Sequence, residues 1–250
     1  MNTRQQELKN RIDTFGHIDI VSEAKYFAVS EMTIRRDIAF LEKNALAVQV
    51  KGGAIPKAKI CDNMVDSHAK NAIAAKMIER LEQMPEVKTL MLSTGGTTLA
   101  FAKLLAQKNL PITVLTNSIP IASALFQTQT KVILTGGELR TTSMDLVGPA
   151  AEKYLSDYHV DLLLTGCDGA DTQEGFYTSD LNLASYEKLS VKIADKTFIL
   201  TESIKFKHKA LAKFAELNEI DTLITDNGLK AVDREILSRQ NIKIILYTTL

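Results

Sequence analysis

Residues 30–37 read SEMTIRRD and set two adjacent arginines, Arg35 and Arg36, beside Ser30 and Thr33. Ile34, Ile38 and Leu41 recur at i, i+4 and i+7, which is one apolar face of a helix, and Ser30 stands where its N-cap belongs. With that face turned inward, Met32 and Arg36 point outward and Thr33 and Arg35 lie on the flanks. Such a polar side is either an ordinary solvated face or a surface meant for an anion. The segments around it decide.

Upstream, Thr3 and Gln6 have the spacing of a capping box, and Leu8, Ile12 and Phe15 form the apolar stripe of a first helix that Gly16 stops. Asp19 is placed to cap a second, short helix over residues 20–28, with Val21, Ala24 and Phe27 as its inner face. Three short helices, the last two joined by a tight turn, make a helix-turn-helix pattern. Downstream comes NALAVQVKGGA, in which Val48 and Val50 alternate with Gln49 and Lys51 and the pair Gly52-Gly53 lets the backbone turn. This predicts a small β-hairpin wing with a lysine at phosphate height. In helix-turn-helix proteins the first residues of the second helix of the motif reach base edges, where arginine pairs bidentately with guanine. The residues expected to face DNA are Ser30, Met32, Thr33, Arg35, Arg36 and Lys51. A three-helix interaction module with a solvated basic face is the bland alternative.

Charge agrees weakly. The chain of 250 residues is formally neutral, yet residues 1–59 carry ten Lys/Arg against seven Asp/Glu and the remainder 20 against 23. An apolar fraction of 45% and a charged fraction of 24% are those of a globular protein, which removes disordered and fibrous classes. The start, MNTRQQELKN, lacks a signal-peptide core, and no apolar run approaches the roughly 18 residues of a membrane span. Cys61 and Cys167 stand without a CxxC or a histidine at ligand spacing, so neither a disulfide framework nor a metal site is expected. No cofactor is expected either, and the expected compartment is a reducing cytoplasm.

Residues 57–70 read as a linker and a helix is expected over 69–81. Beyond it one grammar repeats: an apolar run of about five residues, a small polar loop, then a helical stretch. VKTLML, ITVLT, KVILT, DLLLT, TFILT, DTLIT and IKIILYT are the runs. Near-continuous apolar strands alternating with helices imply a mostly parallel, Rossmann-like α/β sheet covered on both faces. In such sheets ligands bind outside the carboxyl ends of the strands. The loops there are rich in Ser, Thr, Gly and Asn. Ser93, Thr94, Gly95, Gly96, Thr97 and Thr98 precede a helix, and glycines, hydroxyls and a helix N-terminus together suit a phosphate. A plain strand-to-helix turn is the competing reading. Asn117, Ser118, Gly136, Gly137, Arg140, Asp168, Gly169 and Lys205 occupy other loops of the same end.

No GxxxxGK[ST] occurs and no GxGxxG follows the first strand of this region, so nucleotide readings fail and a phosphorylated sugar fits better. Asp168 and Lys205 could act as base and electrostatic partner of an isomerase, bind hydroxyls, or pair with each other. Arg140 reads as a phosphate or subunit contact. Glu187-Lys188 reads as a solvated pair on a helix. His17, His68, His159 and His208 have no partners at motif spacing.

SEMTIRRD, followed fourteen residues later by KGGA (51–54), resembles the winged helix-turn-helix signature of the DeoR family of bacterial transcriptional repressors. STGGTT (93–98), TNS (116–118), GGELR (136–140), VGP (147–149), GCDG (166–169), SIKF (203–206) and DTLITD (221–226) resemble that family's effector domain. The resemblance covers nearly the whole chain. It implies a sensor domain related in fold to ribose-5-phosphate isomerase and glucosamine-6-phosphate deaminase that responds to phosphorylated sugars. Lys51, Ser93, Gly96 and Glu202 depart from residues common in the family, a histidine, an aspartate, a threonine and an aspartate.

The expectation is a winged helix-turn-helix domain over 1–56, a linker over 57–70 and a sugar-phosphate domain over 71–250. The expected function is a regulator, as a repressor of a sugar-metabolism operon. Its partners would be a double-stranded DNA operator, a phosphorylated sugar and a second copy in a homo-dimer or tetramer. The alternative is a sugar-phosphate isomerase or deaminase with an N-terminal appendage.

Overall fold

The computed structural model describes residues 1–15, 18–44, 46–50, 52–56, 68–108 and 110–247. Lys51, Cys61 and residues 57–67 of the expected linker lie outside these. The chain forms two compact units, Met1–Asp62 and Asn63–Leu250.

The first unit runs α1 (Thr3–Phe15), β1 (Ile18–Asp19), α2 (Ile20–Tyr26), α3 (Glu31–Lys43), β2 (Ala47–Val50) and β3 (Gly53–Pro56). The strands β2 and β3 form the expected antiparallel hairpin, and β1 pairs with the far side of β3, giving the order β1-β3-β2. The turn passes through Gly52 at φ +86°, a left-handed conformation that glycine adopts without a Cβ penalty. Leu8, Ile12, Ile34, Ile38 and Leu41 meet in one fully buried cluster with Ile18, Ile20, Ala24, Ala47 and Ala54. The stripes read from the sequence are therefore the core, although the side chains of Phe15 and Val48 lie outside the described residues.

Two local expectations are corrected. The reciprocal cap of α1 is made by Asn2 and Gln5, not Thr3 and Gln6: Gln5 N donates to Asn2 Oδ1 at 2.8 Å and Asn2 N donates to Gln5 Oε1 at 3.0 Å. Asparagine caps at least as well as threonine, so the helix begins one residue earlier in the pattern. Val21 is 45% exposed, while Ala24 is buried and Phe27 packs against the same cluster as expected; Ile20 and Glu23 complete the inner face of α2.

The second unit opens with α4 (His68–Glu82). Its main sheet has seven strands, β4 (Thr89–Leu92), β5 (Thr113–Thr116), β6 (Lys131–Leu134), β9 (Leu162–Thr165), β12 (Thr197–Leu200), β14 (Thr222–Asp226) and β15 (Lys243–Tyr247). Every one of the seven apolar runs is one of these strands, and every pairing is parallel. The order is β15-β14-β12-β9-β4-β5-β6. From β4 the chain steps outward through β5 to β6, then returns to the other side of β4 with β9 and steps out through β12, β14 and β15. The winding therefore reverses between β4 and β9, and their carboxyl ends open a crevice at that switch point.

The helices α5 (Gly96–Lys108), α6 (Ile119–Ala124), α7 (Pro149–Leu155), α8 (Leu181–Lys192) and α9 (Ala231–Arg239) complete the layers. The simple strand-loop-helix grammar fails in two places. A hairpin of β7 (Glu138–Arg140) and β8 (Asp145–Val147) precedes α7, and a sheet of β10 (Gly169–Asp171), β11 (Gly175–Thr178) and β13 (Ala212–Ala215) flanks α8. These strands are short and carry no long apolar run. At Gly169 a Cβ would stand 2.6 Å from Ala210 N and from His208 O, so this approach of two backbones requires glycine. Among the described residues no helix is long and apolar enough to cross a membrane.

Candidate DNA interface and effector site

Ser30 Oγ accepts from Thr33 N at 3.2 Å and lies 2.9 Å from Thr33 Oγ1, so both hydroxyls of SEMTIRRD work first as the cap of α3. Met32 is 65% exposed, and Arg35 and Arg36 are exposed beside it. Arg35 Nη2 lies 3.8 Å from Glu31 one turn earlier, a loose surface pair, whereas Arg36 makes no salt bridge with a described residue. Behind this face the acids are committed. Asp37 accepts from Arg4 Nε at 2.6 Å and from Gln5 Nε2 at 2.9 Å, tying α3 to α1. Glu23 accepts a bidentate pair from Arg11 at 2.7 and 2.8 Å, tying α2 to α1. The two buried acids of the scaffold, Glu23 and Asp37, are thus neutralised internally, and Arg35 and Arg36 stand outward with Glu31 at the start of the second helix of the motif. Lys51 lies outside the described residues.

In the second unit the loop after β4 carries Ser93 to Thr98. The first intrahelical bond of α5 is Leu99 N to Gly95 O at 3.0 Å, so the N–H groups of Gly96, Thr97 and Thr98 precede it. Ser93, Thr97 and Thr98 are buried and Thr94, Gly95 and Gly96 are partly exposed. Thr98 Oγ1 donates to Gly95 O at 3.0 Å and so braces the loop. Thr94 Oγ1 is buried and has no hydrogen-bond partner among the described residues.

At the end of β5, Asn117 donates through Nδ2 to Leu146 O at 3.2 Å, while its Oδ1 is buried with no hydrogen-bond partner among the described residues. Ser118 is fully buried and caps α6, accepting from Ile121 N at 3.4 Å. After β9, Asp168 accepts from Ser179 N at 2.8 Å and Thr178 Oγ1 at 3.3 Å. Lys205 lies in the 3-10 turn Ser203–Lys207 and is partly exposed; its charge reaches Cys167, whose thiol burial pushes up to about 12 and which donates to Thr201 Oγ1 at 3.4 Å. Gly136 and Gly137 are exposed ahead of β7.

Arg140 is already occupied within the chain. Its Nε and Nη2 grip Asp145 at 3.0 and 2.6 Å and its Nη1 lies 3.1 Å from Asp180, the N-cap of α8. Asp145 is fully buried, so the arginine is held there as its counter-ion.

Glu187 corrects the sequence reading most. It is no solvated pair with Lys188 but a buried acid, 3% exposed, at the switch point. Its Oε1 accepts from Ser93 Oγ at 3.2 Å and Thr165 Oγ1 at 3.3 Å, and its Oε2 is buried without a partner among the described residues. Burial, together with the charge of Asp168, pushes its carboxyl up to about 8, against a smaller pull from the Ser93 and Thr165 hydroxyls and Arg140. A signal was present in the sequence. Leu183, Ala184, Ser190 and Val191 stand three or four residues to either side, so Glu187 falls in the inward stripe of α8.

The geometry at the carboxyl ends of β4, β5 and β9 is thus a polar crevice with three buried atoms, Thr94 Oγ1, Asn117 Oδ1 and Glu187 Oε2, that have no partner among the described residues. Comparison with known proteins now adds a family. A DeoR-like helix-turn-helix domain matches residues 4–58 and a DeoR C terminal sensor domain matches residues 65–227. The chain belongs to the DeoR family. It is a DNA-binding transcriptional regulator. Relatives of this DeoR-family chain include the HTH-type transcriptional regulator GlpR of Haloferax volcanii, 30% identical over 90% of each chain. The glycerol-3-phosphate regulon repressor of Escherichia coli is 26% identical over 92% of this chain and 93% of its own. The L-fucose operon activator of Haemophilus influenzae is 27% identical over the same shares. Among solved structures, ribose 5 phosphate isomerase A from Neisseria gonorrhoeae aligns with a TM-score of 0.39 at 16% identity, covering 54% of this chain and 52% of that one.

Proposed function

We propose that this DeoR-family regulator is a repressor whose grip on a double-stranded operator is controlled by a phosphorylated sugar. The first part, 1–56, reads DNA, and the last part senses; it begins with α4 at His68, so residues 68–70 of the expected linker belong to it. Met32, Arg35 and Arg36 meet base edges, Ser30 and Thr33 set the start of the helix that carries them, and Lys51 meets phosphate. The N–H groups of Gly96, Thr97 and Thr98 at the start of α5 take the sugar's phosphate.

The observation that carries the reading is the set of three buried, unpartnered polar atoms, Thr94 Oγ1, Asn117 Oδ1 and Glu187 Oε2, around the carboxyl ends of β4 and β5 and the inward face of α8. Buried polar atoms without partners are costly in a scaffold and acceptable in a site that a polar ligand completes. Ser118, Gly136, Gly137, Asp168, Gly169 and Lys205 surround that set, and Arg140 acts on it through the position of Asp180 and α8. Relatives named for a glycerol-3-phosphate regulon and an L-fucose operon support a small polyhydroxylated effector. A sensor of this kind needs differential affinity between two states, not turnover. A pseudo-symmetric operator further calls for at least a dimer.

Calorimetric titration with glycerol 3-phosphate, ribose 5-phosphate and glucosamine 6-phosphate, followed by NMR of the mixtures, tests this. Saturable binding of at least one without conversion is expected. No binding by any of them, or steady conversion above a heat-killed control, would overturn the reading.

A further inference from the structure

Glu187 is placed unlike the other buried acids among the described residues. Glu23, Asp37 and Asp145 each hold an arginine, whereas Glu187 is met only by the hydroxyls of Ser93 and Thr165, both on Oε1. Ser93 Oγ donates to Oε1 at 3.2 Å, and the single proton of Thr165 Oγ1 is shared between Oε1 and Gly166 O, both at 3.3 Å; with Oε1 engaged as the acceptor of Ser93, a proton on the carboxyl sits on Oε2. Oε2 is the atom that is buried and without a partner.

We propose, resting on the effector-site reading above, that Glu187 is the specificity-determining residue of that site: held as a neutral carboxylic acid, it donates a hydrogen bond from Oε2 to an oxygen of a sugar phosphate that carries no amino group.

The charged surroundings explain why the proton stays. From the loop after β9, Asp168 presents a like charge. From β7, Arg140 presents the opposite charge, but its guanidinium is bound to Asp145 of β8 and to Asp180. Lys205 acts on Cys167 beside Asp168. From β13, packed against α8, Lys213 is paired with Glu216 at 2.6 Å. On α8 itself Lys188 and Lys192 turn away into a separate groove along β13. Among the described residues no cation forms an ion pair with Glu187, and burial favours the neutral form. The consequence is chemical selectivity. A donor at Oε2 suits a hydroxyl, carbonyl or ring oxygen, whereas an ammonium at the same carbon would need the carboxylate.

The affinity of such a site follows the fraction of protein in the neutral form, because the ionised form lacks the donor. With the carboxyl titrating at about 8, the apparent Kd weakens by about tenfold between roughly pH 7 and pH 9. The phosphate of a sugar ester is already doubly charged over that range, since its second pKa is about 6. Glu187→Gln keeps an acceptor for the two hydroxyls and a permanent N–H donor, so its Kd stays flat with pH. Glu187→Leu lacks the donor and binds weakly throughout.

The test is calorimetric titration of wild type, Glu187→Gln and Glu187→Leu with glycerol 3-phosphate, ribose 5-phosphate and glucosamine 6-phosphate at both pH values. It is joined to an infrared difference spectrum of wild type against Glu187→Gln without ligand. The expected result is a protonated-carboxyl stretch in wild type at neutral pH that the variant lacks, and a pH-dependent Kd for a sugar phosphate without an amino group that becomes flat in the variant. Absence of that stretch overturns the proposal while leaving the effector reading intact. So does a wild-type Kd that is flat with pH, or binding of the amino sugar that tightens as pH rises. Failure of wild type to bind any of the three compounds overturns the effector reading and the donor role with it.

Discussion

In the first unit Glu23 and Asp37 are buried and each is gripped by an arginine; in the second, Glu187 is as deeply buried and, among the described residues, is met only by two hydroxyls. The first arrangement closes on itself. Its charges are neutralised between α1 and the next two helices, and the residues left for a partner, Met32, Arg35 and Arg36, stand outside the core. The second leaves polar atoms inside. A buried acid with its cation fixes how elements pack, and a buried acid without one marks where a ligand is received.

The largest effect that would separate the two regions is a core deletion in one of them. Ile38→Ala removes a fully buried side chain from the first unit and is expected to cost about 2–5 kcal/mol there. Operator binding should be lost while sugar-phosphate binding persists, as read by calorimetry on the same preparation. Loss of both would show that the units do not stand independently.

Next in size is the pH dependence of Glu187. Its carboxyl is raised in the folded protein, so over the range from about pH 4.3 to about 8 the folded chain holds a proton that the unfolded chain releases. Stability is therefore lost as pH rises through that window, at about 1.4 kcal/mol per unit and on the order of 5 kcal/mol in all for one proton. Urea unfolding of wild type against Glu187→Gln should show the gap growing with pH. A gap that stays constant means Glu187 is ionised, like a paired acid of the first unit.

Smaller effects sharpen the comparison. Arg36→Ala should weaken specific operator binding by about 1–3 kcal/mol, while Lys51→Ala should weaken all sequences alike and lower the salt slope by about one. Gel-shift titrations at two salt concentrations separate these. Thr94→Val removes a hydroxyl with no partner, so sugar-phosphate affinity should fall by about 0.5–1.5 kcal/mol while thermal stability does not fall. A loss of stability instead would place Thr94 with the scaffold.

The sequence showed most of the frame because its signals are periodic. All seven parallel strands were visible as apolar runs, since a strand buried on both faces has no polar alternation to break it. Asp19 and Ser30 were visible as caps because the chemistry of capping is local. What stayed hidden depends on contacts across the fold. Glu187 beside Lys188 looks like a surface pair until the stripe of α8 is turned against β13 and β11. Arg140 looked free for a phosphate because Asp145 and Asp180 reach it through a hairpin and a helix cap that no apolar pattern announces. The sheet of β10, β11 and β13 is built from strands too short to show a period, and its close approach at Gly169 depends on residues forty positions downstream.

The central claim is that ligand binding at the carboxyl ends of β4, β5 and β9 controls DNA binding by α3. The direct measurement is an operator titration by fluorescence anisotropy, with and without each sugar phosphate, using wild type and an Asn117→Ala variant that removes the unpartnered Oδ1. In wild type, one compound is predicted to weaken operator binding at a defined concentration. The variant should bind operator equally well without ligand and need a higher concentration of that compound to respond. A variant that responds at the wild-type concentration, or a wild type whose operator affinity no sugar phosphate changes, would contradict the account.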